Sequence, residues 1–129
     1  MAGSIEEARV WLNKGERSLE VGRVLLAQGF YPEALSRAYY AMFYAAKAAL
    51  TLEGVHVRKH SSVISAFGRC FAKTGRVPSR LHVALREALD DRHEADYALI
   101  SDISREEAER RMEEANEFIS QARGLLEQA

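Results

Sequence analysis
Between Pro32 and Gly54 the apolar residues fall on two neighbouring stripes at once. Leu35, Ala38, Met42, Ala45, Ala49 and Leu52 follow one another in steps of three and four, and Tyr39, Phe43, Ala46 and Leu50 do the same beside them. Such steps mark an α-helix, in which residues three and four apart share a face. One stripe would bury one face; two adjacent stripes bury most of the circumference. This helix therefore has to be surrounded by others, and the spacing predicts a helical bundle with this segment at its centre. Pro32 suits the first turn, where a missing N–H loses no hydrogen bond, and Gly54 closes the helix.

The remaining segments supply the surrounding helices. Ser4 and Glu7 form a capping box ahead of Ile5, Ala8, Leu12, Gly15, Leu19, Gly22 and Leu26, with Gly29 ending that stretch. Gly15 and Gly22 each weaken a helix by about 1 kcal/mol relative to alanine. Their place on the apolar seam predicts the close approach of another helix backbone. A third helix is expected from Ser61 or Ser62 to Gly75 on Ile64, Phe67 and Phe71. Pro78 opens a fourth on Leu81, Leu85, Ala88 and Leu89, and Ser104 with Glu107 opens a last one running to Leu126. No strand alternation, repeat or linker interrupts the pattern. The expectation is one all-α domain over residues 1–129, an up-and-down bundle of about five helices.

The 129 residues and 47% apolar content suffice for one packed core. The single cysteine, Cys70, cannot make an internal disulfide; it lies on an apolar helix face and reads as a buried, inert thiol in a reducing, cytoplasmic setting. Glu6, Glu7 and Arg9 argue against a secretory leader, and the apolar run Tyr39–Leu52 contains Lys47 and is too short for a bilayer.

Net charge is −1, but its distribution is uneven. No acidic residue occurs between Gly54 and Arg86, whereas Glu106, Glu107, Glu109, Glu113, Glu114 and Glu117 crowd the last helix. Such asymmetry predicts a face that attracts phosphate, set against the plainer reading of ordinary solvated helix surface. Within the basic stretch, Arg58, Lys59, His60 and Ser61 precede or open a helix, where free N–H groups and positive potential favour anions; a serine there also serves as a plain N-cap. His56 and His60 lack a nearby third ligand, so no metal is expected, and no motif for a bound cofactor is present.

Arg92 breaks the apolar stripe of the fourth helix. A guanidinium on that seam needs a partner, and Asp96 lies one turn on. The pair either settles helix packing or holds an arginine at a cleft where it binds phosphate. On the central helix Arg37, Tyr40, Tyr44 and Lys47 share a face; their stems cover core, and their rings beside cations are also of the kind that stack bases.

The stretches from Ser36 to Ala46 and from Lys59 to Gly68, with Arg92-His93-Glu94-Ala95-Asp96-Tyr97, resemble HEPN domains, in particular the small stand-alone branch, over nearly the whole chain. The resemblance implies a bundle that forms a homodimer, a nucleotide or RNA ligand, and pairing with a minimal nucleotidyltransferase in toxin–antitoxin modules. It also implies that catalytic members are metal-independent ribonucleases whose signature is an arginine, a polar residue, and a histidine after a gap of four to six residues. Here Arg92 and His93 match the first two positions, while Asp96, Tyr97, Ala98 and Leu99 occupy the region of the expected histidine. Arg86 and His93 satisfy the wider spacing in another register. The expectation is a nucleotide- or RNA-binding interaction domain with little or no activity of its own. The alternatives are a ribonuclease toxin using Arg86 or Arg92 with His93, and a structural adaptor without ligand. By the same resemblance Tyr97 is a candidate for nucleotide transfer by the partner.

Overall fold
A computed structural model describes residues 4–99 and 102–129. The chain forms α1 (Ile5–Ala27), α2 (Tyr31–Leu52), α3 (His60–Phe67), a π-helical segment (Gly68–Ala72), α4 (Ser79–Tyr97) and α5 (Arg105–Glu127). The described residues contain no strand, and the fold is the all-α bundle that the stripes predict.

Both capping serines act as expected. The Ser4 hydroxyl accepts the Glu7 N–H at 3.1 Å and the Ser104 hydroxyl accepts the Glu107 N–H at 3.1 Å, each satisfying a donor that the first helical turn leaves free. Gly29 and Gly54 end α1 and α2 with φ of 85° and 73°, left-handed values that other residues reach only with strain.

The two-striped helix is central: α2 packs against α1, α3, α4 and α5. Fifteen of its residues are buried, Leu35, Tyr39 and Met42 completely. Inter-helix pairs fix the directions. Glu16 meets Arg123 and Arg23 meets Asn116, so α1 and α5 run antiparallel. Arg80 meets Glu117 while Asp91 meets Arg111, so α4 and α5 do likewise. The glycine seam of α1 faces α2 and α5. A Cβ on Gly15 would stand 3.0 Å from the Ala41 carbonyl oxygen and 2.9 Å from Ile119 Cδ1. The close approach inferred from the two glycines is present.

The third helix differs from expectation. It begins at His60, and its N-cap is Lys59, with no side-chain capping bond; Ser61 and Ser62 lie inside the first turn. Neither serine caps the helix, because His60 is held against Phe43 and Tyr39 and its backbone enters the helix ahead of them. At the other end α3 stops at Phe67 and widens into a π turn closed by Lys73 N–H to Gly68 carbonyl, 2.8 Å. Gly68 lies under the His82 ring, where a Cβ would come within 2.6 Å of Nε2, and that ring nitrogen is 3.1 Å from the Ile64 carbonyl. Cys70 is half-buried against the core.

Candidate functional site
Three elements meet beside the middle of α2. Tyr39, Tyr40 and Phe43 are successive ring-bearing positions of α2; His60 starts α3; Arg92, His93, Asp96 and Tyr97 occupy the last two turns of α4. Arg92 is only 8% exposed. Its Nε donates to Asp96 Oδ2 at 3.2 Å and its Nη1 donates to the Tyr40 hydroxyl at 3.2 Å. The guanidinium carbon also lies 5.2 Å from the Tyr40 ring centre and 5.8 Å from that of Tyr39, within cation–π range. Burial works against its charge, but a Tyr97 hydrogen bond and the electrostatic influence of Tyr40 and Asp96 outweigh it and raise its pKa. Arg92 is thus a fixed cation.

Beside it, His60 stacks on Phe43 with ring centres 4.3 Å apart, and its Nδ1 is 2.5 Å from the Tyr39 hydroxyl. Burial, then the charges of Arg92, His93 and Lys47, lower the His60 pKa, so the imidazole is neutral at pH 7. Burial pushes the Tyr39 phenol well above its ordinary value, against a smaller opposite pull from Arg92. Tyr39 is therefore a firm O–H donor and His60 Nδ1 its natural acceptor, which leaves the proton of the ring on Nε2. Among the described residues His60 Nε2 has no hydrogen-bond partner. Arg92 and His60 share the rings of Tyr39 and Tyr40 as neighbours, and a guanidinium and an imidazole N–H are both groups of the kind that hold an anion.

The structure divides the residues that the sequence groups together. His60 joins Arg92, whereas Arg58 lines a separate cavity of about 200 Å³ with Trp11, Lys47 and His56. Lys59 and Ser61 are exposed. His56 lies 3.6 Å from Glu7, so the two histidines of the loop face different neighbours. Arg86 is exposed and, among the described residues, has no ion pair or hydrogen bond. His93 is also exposed and its ring stacks on Tyr97 at 5.9 Å. Tyr97 is 74% exposed at the end of α4.

Two features escape the sequence reading. Tyr39 is the partner of His60; the available signal was a phenol on an apolar stripe, since a buried tyrosine hydroxyl needs a hydrogen-bond partner. Arg111 is 4% exposed and reaches Glu114 at 2.8 Å, Asp91 at 2.9 Å and Glu87 at 3.5 Å, clamping α5 to α4. Its signal was an arginine next to Met112 on the apolar seam of an otherwise acidic helix.

Comparison of the sequence with known proteins finds a family. Over residues 8–125 the chain fits the family model described as HEPN domain. It is 36% identical to "Putative toxin MJ0142" of Methanocaldococcus jannaschii, over 89% of this chain and 78% of that protein. It is 30% identical to "Putative toxin MJ0605" of the same organism, over 95% of this chain and 91% of that protein. A UPF0332 protein of Thermotoga maritima is 30% identical over 91% of this chain and 89% of its own length. With the fold, the arginine on α4 and the family match in agreement, the chain belongs to the HEPN domain family.

Proposed function
We propose that this chain is the nucleotide- and RNA-binding HEPN component of a toxin–antitoxin or defence module, working in the cytoplasm as a homodimer with a minimal nucleotidyltransferase partner. The observation that carries the reading is Arg92, a nearly buried guanidinium whose charge is maintained beside the free Nε2 of His60. An arginine used only to settle packing is expected to spend its donors on carboxylates, as Arg111 does. Arg92 instead bonds one carboxylate and phenols, and so stays net cationic. The toxin context rests on the names of two relatives. The cytoplasmic setting fits a chain in which, among the described residues, no helix is long and apolar enough to cross a membrane. Tyr97, 74% exposed and bonded to Arg92, and Leu99, 100% exposed just beyond the end of α4, suit a seam between two copies. Tyr97 is also open to modification by the partner.

The test is direct. Fluorescence anisotropy with labelled RNA should show binding that Arg92→Ala weakens by about tenfold or more, since hydrogen bonds to charged groups contribute roughly 1.5–3 kcal/mol. Co-purification should recover the nucleotidyltransferase. Unchanged RNA and nucleotide affinity in the Arg92 variant would remove the central support.

A second reading, a ribonuclease, is favoured by one observation: His60 supplies an imidazole near Arg92, where the positions after Arg92 expected to hold the signature histidine hold none. It requires the other ring tautomer, with Nδ1–H donating to Tyr39 and Nε2 free to take a proton from a ribose 2′-hydroxyl.

A further inference from the structure
Away from Arg92 a second set of aromatic and cationic side chains runs along the junction of α1 and α2. Trp11 of α1 stacks on Tyr44 of α2, with ring centres 5.9 Å apart and 23° between planes. Tyr44 lies 5.8 Å from Tyr40, which contacts Arg92. The rings therefore form a chain from the arginine of α4 to α1. Cations accompany it throughout. Arg37 is 5.0 Å from the Tyr40 ring centre; Lys14 is 5.0 Å from that of Tyr44 and 5.1 Å from that of Trp11; Lys47 is 4.3 Å from that of Trp11. Trp11 and Lys47 then form part of the wall of the 200 Å³ cavity, with Arg58 at its edge.

The simple alternative is that these stems merely cover the core. Two observations weigh against it. First, other cations act on Lys47: burial lowers its pKa and the charge of Arg58 lowers it further, Glu7 opposes them, and Lys14 adds a smaller lowering. Glu7 sits at the rim with His56, and none of Lys14, Lys47 and Arg58 has an ion pair among the described residues. Arg76, Arg80, Arg105 and Arg123 each pair with a carboxylate, whereas, among the described residues, these three cations do not. Second, rings and cations alternate, and the strip ends in a cavity. Aromatic faces offering stacking and cations following a backbone are what single-stranded nucleic acid requires, whatever its sequence.

We propose that the Trp11–Tyr44–Tyr40 strip is a single-stranded RNA track, leading from the Arg92 site to a base-sized cavity beside Trp11. Lys14, Lys47, Arg58 and Arg37 hold phosphates along it, and Trp11 and Tyr44 stack bases. From Tyr40 to Lys47 α2 rises roughly 10 Å at about 1.5 Å per residue, so the strip accommodates on the order of three stacked nucleotides at about 3.4 Å each. The proposal rests on the RNA-binding reading above and extends it to a surface outside the family's arginine position.

Trp11 is the single tryptophan of the chain, so its emission reports on the track directly. The intact protein is titrated with an unlabelled oligouridylate of about ten nucleotides, with uridine monophosphate in a parallel arm, while anisotropy of a labelled copy gives affinity. The oligonucleotide should quench and shift Trp11 emission in step with binding, and the mononucleotide should do so far more weakly. Lys14→Ala and Lys47→Ala should each lower affinity about fivefold and flatten the salt dependence by about 0.7 in log–log slope. Trp11→Phe, which keeps a ring, should weaken binding less than Trp11→Leu. Binding with unchanged Trp11 emission and unaffected lysine variants would overturn the track while leaving the Arg92 reading in place. Absence of any RNA binding would overturn both. Quenching by the mononucleotide as strong as by the oligonucleotide would replace the track with a nucleotide pocket.

Discussion
His60 shows how one residue can be read as loop chemistry and turn out to be anchored. In sequence it belongs to a basic run; in the fold it stacks on Phe43 and meets the Tyr39 hydroxyl. Its pKa lies below the ordinary value, through burial first and through Arg92, His93 and Lys47 after that. An unfolded histidine binds a proton near pH 6.5, whereas the folded one resists protonation until lower pH. Its contribution to stability is therefore full above about pH 6.5 and declines as pH falls toward the lower folded value. Urea denaturation of the wild type should show stability dropping between about pH 7.5 and 5 more steeply than in His60→Gln, which cannot titrate. Equal slopes in the two proteins would mean that His60 does not resist protonation in the fold.

At the scale of the element, the helices and their order are legible because periodicity, caps and breakers all point the same way. Ser4, Ser104, Gly29, Gly54 and Pro32 act where their chemistry predicts, and the double stripe of α2 correctly marks the centre. What escapes is anything decided by partners distant in sequence. The start of α3 is set by rings on α2, the π turn goes with a close approach of His82, and the Arg111 clamp joins helices twenty residues apart. The candidate site shows the same limit: Arg92 and Asp96 are one turn apart and predictable, whereas Tyr39, Tyr40 and His60 come together only in the fold. Two substitutions probe these helix contacts. Gly15→Ala gains about 1 kcal/mol of helix propensity but forces a methyl against the Ala41 carbonyl, an overpacking that typically costs about 1–3 kcal/mol. Net destabilisation near 1 kcal/mol is expected in chemical denaturation. Arg111→Met keeps the volume but leaves Glu87, Asp91 and Glu114 without their shared cation. Breaking a fully buried pair costs about 3–5 kcal/mol, and the partial exposure of the carboxylates reduces this to about 2 kcal/mol. That loss should shrink as the solution is acidified and the carboxylates are protonated. A loss that persists unchanged at about pH 3 would assign Arg111 to packing rather than charge.

Across the whole molecule, the aromatic cluster around Arg92 has the parts of an anion site and, in His60, an imidazole that the linear motif lacks. Whether such a site cuts RNA depends on a proton. Cleavage through the 2′-hydroxyl needs a base to take the hydroxyl proton, and a positioned base contributes roughly 10²–10⁴-fold. Asp96 is engaged by Arg92. His60 is neutral, as a base must be, but the firm Tyr39 donor occupies Nδ1 and fixes the proton on Nε2, the nitrogen left open. In that tautomer Nδ1 accepts the Tyr39 hydroxyl, and Nε2 can donate to a phosphate oxygen but has no lone pair with which to take a proton. Binding without turnover is the expected behaviour of the pure chain. Incubation with RNA in the presence of a chelator should give no cleavage above background, while Arg92→Ala and His60→Ala lower affinity. Tyr39→Phe is the informative variant, because it frees Nδ1 and lets either ring nitrogen carry the proton; weak cleavage that appears there and vanishes on adding His60→Ala would confirm that the phenol holds the imidazole in its donor form. Robust wild-type cleavage lost in His60→Ala would establish the ribonuclease reading with His60 as its base, and loss in Arg86→Ala or His93→Ala would move the chemistry to the exposed face of α4.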